Sequence, residues 1–240
     1  IDCDIKIAKL LLDKHKHMDL AIITEFELSS IAKKGNVEMF KYLLDLKPTL
    51  DVCFNNNYIF KIVCENNHLE LAKYIYRIKP EIKTIINNTL FNYLCVYDCL
   101  DILKWLLIIS YKINTTNSKF FPFVIACENG RIKTAKWLYN INPNFNLSMK
   151  NDLIFKKVCK NGHLEVAKWL YKKNPNINIS HNEESAFCNA CFGGHLEIAK
   201  WLYQIKPNID INIKDNLCFV WACTNSNLEL AKWKTLTKAH

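Results

Sequence analysis

The side chains with the chemistry of a site are the cysteines and histidines, 11 and 7 of them in 240 residues. The tightest constellation is Cys188-x-x-Cys191-x-x-x-His195, a spacing that suits three zinc ligands. A regularity argues against it. Cys64, Cys95, Cys127, Cys159, Cys191 and Cys223 recur at steps of 32 with one step of 31, and His68, His163 and His195 share a second recurring position. A residue that returns with a period is explained by the period, which leaves Cys188 as the one extra. The recurring cysteines therefore read as small apolar side chains in a core. The histidines read as turn or cap hydrogen-bonders, because leucine and asparagine stand beside them where a general base would need an acid, a nucleophile or an orienting partner. No Ser/His/Asp order, glycine-rich phosphate loop or His-Glu-x-x-His pattern occurs. The chain reads as non-catalytic, with no metal, no cofactor and no small-molecule substrate.

The period dictates the elements. Gly162-His163-Leu164-Glu165-Val166-Ala167-Lys168-Trp169-Leu170-Tyr171 returns as Gly194 to Tyr203, with Ile198 in place of Val166. Lys9, Lys41, Lys73, Lys104, Lys136, Lys168, Lys200 and Lys232 mark the same place in eight copies, so residues 1–240 hold a single array of about seven and a half units, partial at each end. Within a unit, Leu164, Ala167, Leu170 and Tyr171 fall three and four apart on one helical face, with Glu165 and Lys168 on the wet side. A shorter helical pattern precedes it, as in Phe155 to Cys159, and is often opened by a capping-type residue: Asn57, Asn88, Asp152, Ser185 or Asn216. Pro48, Pro80, Pro143, Pro175 and Pro207 stop the second helix, and an alternating stretch such as Asn176-Ile177-Asn178-Ile179 follows, expected to be extended. Trp105, Trp137, Trp169, Trp201 and Trp233 recur at unit spacing as a stack between helices, and Trp221 falls outside that series. No such unit can bury its apolar face alone, so the units must stack into an all-α solenoid of antiparallel helix pairs.

These residues resemble the ankyrin-repeat family. Its second-helix signature, Gly-His-Leu-Glu-Val-Val-Lys, is matched closely by residues 162–171 and 194–203 and more loosely by 35–44, 67–76 and 130–139. Its Gly-Ala-Asp-Val-Asn connector is echoed by Asn174-Pro175-Asn176-Ile177-Asn178, and its small pair in helix one by Ala126-Cys127, Ala190-Cys191 and Ala222-Cys223. The Thr-Pro-Leu-His opening is absent, and the left-handed glycine after helix two is replaced by Asn or Lys before Pro. The Trp-Leu-Tyr and Asn-Pro-Asn variant, in an Ile/Lys/Asn-rich background, looks like the ankyrin families of giant DNA viruses of amoebae. The unit at 85–116 carries the 31-residue step and lacks the proline, so a local irregularity is expected there.

The resemblance implies a protein-interaction module whose concave surface is made by connector tips and the outer face of helix one. At those positions the chain offers Phe54, Asn55, Ile86, Tyr97, Glu128, Met149, Lys160, His181 and Phe192, the candidate partner-binding residues. The partner is expected to be a protein, a host protein in the viral case, with the chain monomeric. An adapter for a host ubiquitin ligase is the alternative, though no recruiting segment is visible in 1–240.

Composition agrees. Half of the residues are hydrophobic and 23% charged, which excludes wholesale disorder. Only 5 glycines occur, too few for phosphate loops, whereas 28 Ile, 30 Lys and 28 Asn suggest AT-rich coding DNA. The net charge of +9 rests almost wholly on lysine, with arginine only at Arg77 and Arg131. Sequence-specific nucleic-acid binding leans on arginine's fork, so at most weak, non-specific binding by a Lys-rich face is expected. No apolar run reaches the length of a membrane span and no leader is visible, although a chain starting at Ile1 reads as a fragment. The odd number of thiols points to a reducing compartment, the cytoplasm of the source or of a host cell.

Overall fold

The computed structural model of the protein describes residues 6–7, 22–115, 122–177, 179, 186–207, 209, 220–221, 223–225 and 227–237. The described residues form thirteen α-helices and no strand. Packing divides the chain into two units, Ile1–Asn114 and Thr115–His240. The first holds α1 (Glu25–Lys34), α2 (Val37–Leu46), α3 (Phe54–Glu65), α4 (Leu69–Ile78), α5 (Asn88–Leu94) and α6 (Leu100–Ile109). The second holds α7 (Pro122–Glu128), α8 (Ile132–Ile141), α9 (Met149–Lys160), α10 (Leu164–Lys173), α11 (Ala186–Phe192), α12 (Leu196–Ile205) and α13 (Leu228–Thr237). Odd-numbered helices through α11 are first helices of a repeat; α13 and the even ones are second helices. First helices stack on first helices, α1 on α3 in one unit and α9 on both α7 and α11 in the other.

The core is the periodic face. Val166, Ala167 and Leu170 of α10 are buried, as are Ile198, Ala199 and Leu202 of α12, with Phe155 and Phe187 beneath them. Cys64, Cys95, Cys127, Cys159 and Cys191 are buried at the expected place, and burial pushes the first four thiols far up from the ordinary thiol range. Cys223, in the last repeat, is exposed. The wet face carries the repeated lysine: Lys41–Glu38, Lys73–Glu70, Lys168–Glu165, Lys200–Glu197 and Lys232–Glu229 are ion pairs three residues apart. Each contributes a few tenths of a kcal/mol at most.

The turn between the two helices of a repeat uses left-handed backbone. Gly35, Gly130, Gly162 and Gly194 have φ of 69°, 72°, 85° and 75°, and Asn67 and Asp98 take the same place at 57° and 60°. At Asn67, Gly130, Gly162 and Gly194 this backbone closes a Schellman-type turn, as when the amide of His163 bonds the carbonyl of Val158 at 3.2 Å. Every non-glycine residue with positive φ among the described residues is Asn or Asp, including the run Asn55, Asn56 and Asn57. The side chains that tolerate this conformation best stand in for the scarce glycine.

Two expectations about connectors are corrected. The stretch after α4 is a 3-10 helix, Pro80–Ile85, rather than extended, with Pro80 setting its first φ. Fifteen residues separate Pro80 from Cys95, where sixteen separate Pro48 from Cys64 and Pro143 from Cys159, so the residue missing from the 31-residue step is lost in this stretch. The caps differ too. α5 is capped by Asn87, whose Oδ1 accepts from the amides of Thr89 and Leu90, while Asn88 instead accepts from the amide of Asn114 at 2.7 Å. Asn57 and Asp152, expected as caps, are left-handed residues with φ of 60°. Ser185 and Asn216 lie outside the described residues.

Candidate partner-binding surface

The repeated histidines do not cap their own helices; each reaches back one repeat. Nε2 of His68 lies 2.9 Å from the Lys33 carbonyl, that of His163 3.0 Å from Glu128, and that of His195 2.9 Å from Lys160. A carbonyl only accepts, so each ring donates from Nε2. The imidazole lies over the left-handed glycine of the preceding repeat, where a Cβ would come within 2.3 Å of His68, 2.5 Å of His163 or 2.5 Å of His195. Asn161 and Asn225 add amide bonds to the carbonyls of Glu128 and Phe192. This ladder fixes the ends of the first helices, and with them the residues those helices present. It occupies Nε2 of His195, and among the described residues no group of three or more His, Cys, Asp or Glu side chains is placed to hold a metal. No helix among them is long and apolar enough to cross a membrane.

The tryptophans form a second ladder. Trp105 meets Tyr76 edge to face at 5.6 Å, Trp169 meets Tyr139 at 5.5 Å, Trp201 meets Tyr171 at 5.9 Å and Trp233 meets Tyr203 at 5.8 Å. Each also touches a helix-one phenylalanine: Phe60, Phe123, Phe155 or Phe187. These tryptophans are half-buried, so they staple one repeat to the next along a flank rather than filling the centre.

With both ladders used in stacking, the outer face of the first helices and the connector tips remain. In the first unit Phe54, Asn55 and Tyr58 are exposed at a connector tip. Tyr93 and Tyr97, 42% and 41% exposed, lie on and just after α5 with their rings 5.2 Å apart. The Tyr93 hydroxyl donates to Oε1 of Glu65 at 2.6 Å and sits 3.0 Å from the Tyr97 hydroxyl, and the hydrogen bond to Glu65 pushes the Tyr93 phenol well above its usual range. Beside them a groove of about 450 Å³ runs between connector and helix, lined by Asn56, Lys61, Thr84, Asn87, Thr89 and Tyr93 among others.

In the second unit the corresponding repeat positions carry Glu128, Lys157, Lys160, Phe192 and Trp221. Glu128 pairs with Lys157 at 2.8 Å. The Lys160 ammonium lies 4.8 Å from the centre of the Phe192 ring, and Phe192 meets Trp221 edge to face at 5.2 Å. Tyr93 and Trp221 were not among the expected site residues. They occupy one repeat position, eleven before the marker lysines Lys104 and Lys232, and two aromatics on an outward helix position were the signal.

Of the expected residues, Phe54, Asn55, Tyr97, Lys160 and Phe192 are exposed and Glu128 half-buried. Ile86 is corrected: at 1% exposure it is core, because the backbone that follows the 3-10 helix turns its side chain inward and leaves Ile85 half-buried beside the groove. Met149 belongs to α9, but its side chain, like all of His181, lies outside the described residues.

The family described as ankyrin repeats (3 copies) matches residues 123–215 and, overlapping, 155–233. The crystal structure of the human ASB11 ankyrin repeat domain superposes with a TM-score of 0.52 at 14% identity, covering 76% of this chain and 85% of that one. No match is found among curated proteins. Residues 123–233 match ankyrin repeats, and the fold is the all-helical ankyrin type. Ankyrin repeats are, as a class, protein-interaction modules without catalysis of their own.

Proposed function

We propose that this chain binds a protein partner, as a monomer and without a cofactor, through connector tips and the outer face of the first helices. The observation that carries the reading is the set of exposed aromatics on side-chain positions that neither ladder uses, Phe54, Tyr58, Tyr93 and Tyr97 in the first unit and Phe192 in the second. Large aromatics left in water at low entropic cost are what interface centres are made of. The test is capture of a partner by the wild-type chain, by Tyr97→Ala and Phe192→Ala, and by Lys168→Ala on the wet side of α10. Loss in the first two with retention in the third is expected; equal capture by all of them would place the site elsewhere. The buried thiols favour a reducing compartment, and the Ile/Lys/Asn-rich composition favours an AT-rich genome, a host protein being the partner if that genome is an amoebal virus's.

One observation favours a second reading. Through Asn114 fifteen Lys and Arg meet fourteen Asp and Glu, but from Thr115 onward seventeen meet nine, so the positive charge is concentrated in the second unit. Weak, salt-dependent contact with nucleic acid would follow from such an excess. Retention on single-stranded DNA that does not fall with salt would remove it.

A further inference from the structure

We propose that Glu65, Tyr93 and Tyr97 receive a lysine or arginine side chain of the protein partner, while the partner's extended main chain lies in the adjoining groove of Asn56, Thr84, Asn87 and Thr89. The inference rests on the reading of this face as the partner surface and gives that partner a chemistry. Two tilted phenol rings, each about two-fifths exposed, stand beside a carboxylate. A cation is attracted by both. The carboxylate is oriented, and among the described residues it is not neutralised: Oε1 accepts from Tyr93, while Oε2 accepts no hydrogen bond and no cation pairs with it there. Lys61 stands four residues earlier on α3, at the spacing that suits a helical ion pair, and forms none with Glu65. It lines the groove instead, where it suits a main-chain carbonyl or an acidic side chain of the same segment.

The charge balance selects the same ligand. The first unit is nearly neutral, so a basic segment can approach it without the repulsion it would meet from the excess of eight positive charges in the second. A phosphate backbone would be pushed away by Glu65. An apolar side chain over the notch would strip water from a carboxylate and give nothing back, which works against partners lacking the cation. The rim is suited to main chain, since the side chains of Asn56, Asn87, Thr84 and Thr89 supply donors and acceptors together.

The test uses the full chain and fluorescent peptide pools with a fixed central Arg, Lys, citrulline, norleucine or Glu between random flanks, read by anisotropy. The Arg and Lys pools are expected to bind about threefold to tenfold tighter than the citrulline and norleucine pools. Glu65→Gln, which keeps the acceptor for Tyr93, should reduce the preference to the part the rings supply; Tyr97→Phe should keep it and Tyr97→Ala weaken it, with helicity checked by circular dichroism. Equal binding of all pools that Tyr97→Ala still weakens would overturn the cation while leaving the partner surface standing. A preference that Glu65→Gln leaves undiminished would also overturn it. Failure of every pool to bind in a way that Tyr97→Ala changes would overturn both.

Discussion

At the scale of the residue, an imidazole lies on a bare glycine Cα three times: His68 on Gly35, His163 on Gly130 and His195 on Gly162. Glycine serves twice there, taking a positive φ and leaving room for the ring. Where Asn67 takes the glycine's place, the next repeat carries Cys99 instead of histidine, and Asn67 bonds Asp101 and the amide of Ile102 in compensation. Gly162→Ala should therefore cost more than its backbone penalty of about 1–2 kcal/mol. Urea melts of Gly162→Ala, His195→Ala and the double variant should show the double losing less than the sum of the singles; strict additivity would mean that ring and glycine do not interact. The histidines also carry a pH dependence. Burial lowers the His163 pKa below its ordinary 6.5, so the unfolded chain takes up a proton before the folded one does. That contribution is full above pH 6.5 and is lost as pH falls below it. Measured at pH 7.5 and 5.5, wild type should lose more stability than His163→Gln, and equal losses would deny His163 a part.

At the scale of the element, the start of α3 is unconventional. Asn55, Asn56 and Asn57 are all left-handed, and Oδ1 of Asn57 is buried without a hydrogen-bond partner. Asn57→Gly removes the strained Cβ and the orphaned oxygen together and should stabilise the chain by about 1 kcal/mol, read as a higher urea midpoint. The Trp–Tyr ladder is equally testable. A double-mutant cycle on Tyr171 and Trp201 should give a coupling of about 0.5–1.5 kcal/mol, whereas a coupling near zero would make their edge-to-face contact incidental. The helix pairs, the buried cysteine position and the lysine on the wet face were all legible in the sequence, because each is written once per repeat. The connectors were not. Pro80 set a 3-10 turn, Asn87 won the cap from Asn88, and Ile86 turned inward, all single-residue shifts that a period of 32 does not specify. For the surface, Tyr97, Lys160 and Phe192 followed from repeat position alone, but the contacts that join Tyr93 to Glu65 and Phe192 to Trp221 depend on neighbouring repeats.

At the scale of the whole molecule, stability in a stack of repeats is the sum of weak units and the interfaces between them. The thiols report on it position by position. Cys64, Cys95, Cys99, Cys127, Cys159, Cys188 and Cys191 are buried, Cys99 with its pKa pushed up to about 12 by burial, whereas Cys223 is exposed. Thiol labelling followed by peptide mass mapping should modify Cys223 at once and leave those seven untouched until urea opens their repeats; prompt labelling of the seven in native buffer would contradict the packing. The same backbone resolution serves the functional claim. The decisive measurement is hydrogen–deuterium exchange of the chain with and without a captured protein partner. Binding through the first helices predicts slowed exchange in α3, α5, α9 or α11 and their connectors, with the wet sides of α4, α10 and α12 unchanged. Protection confined to α4, α10 and α12 would contradict the account.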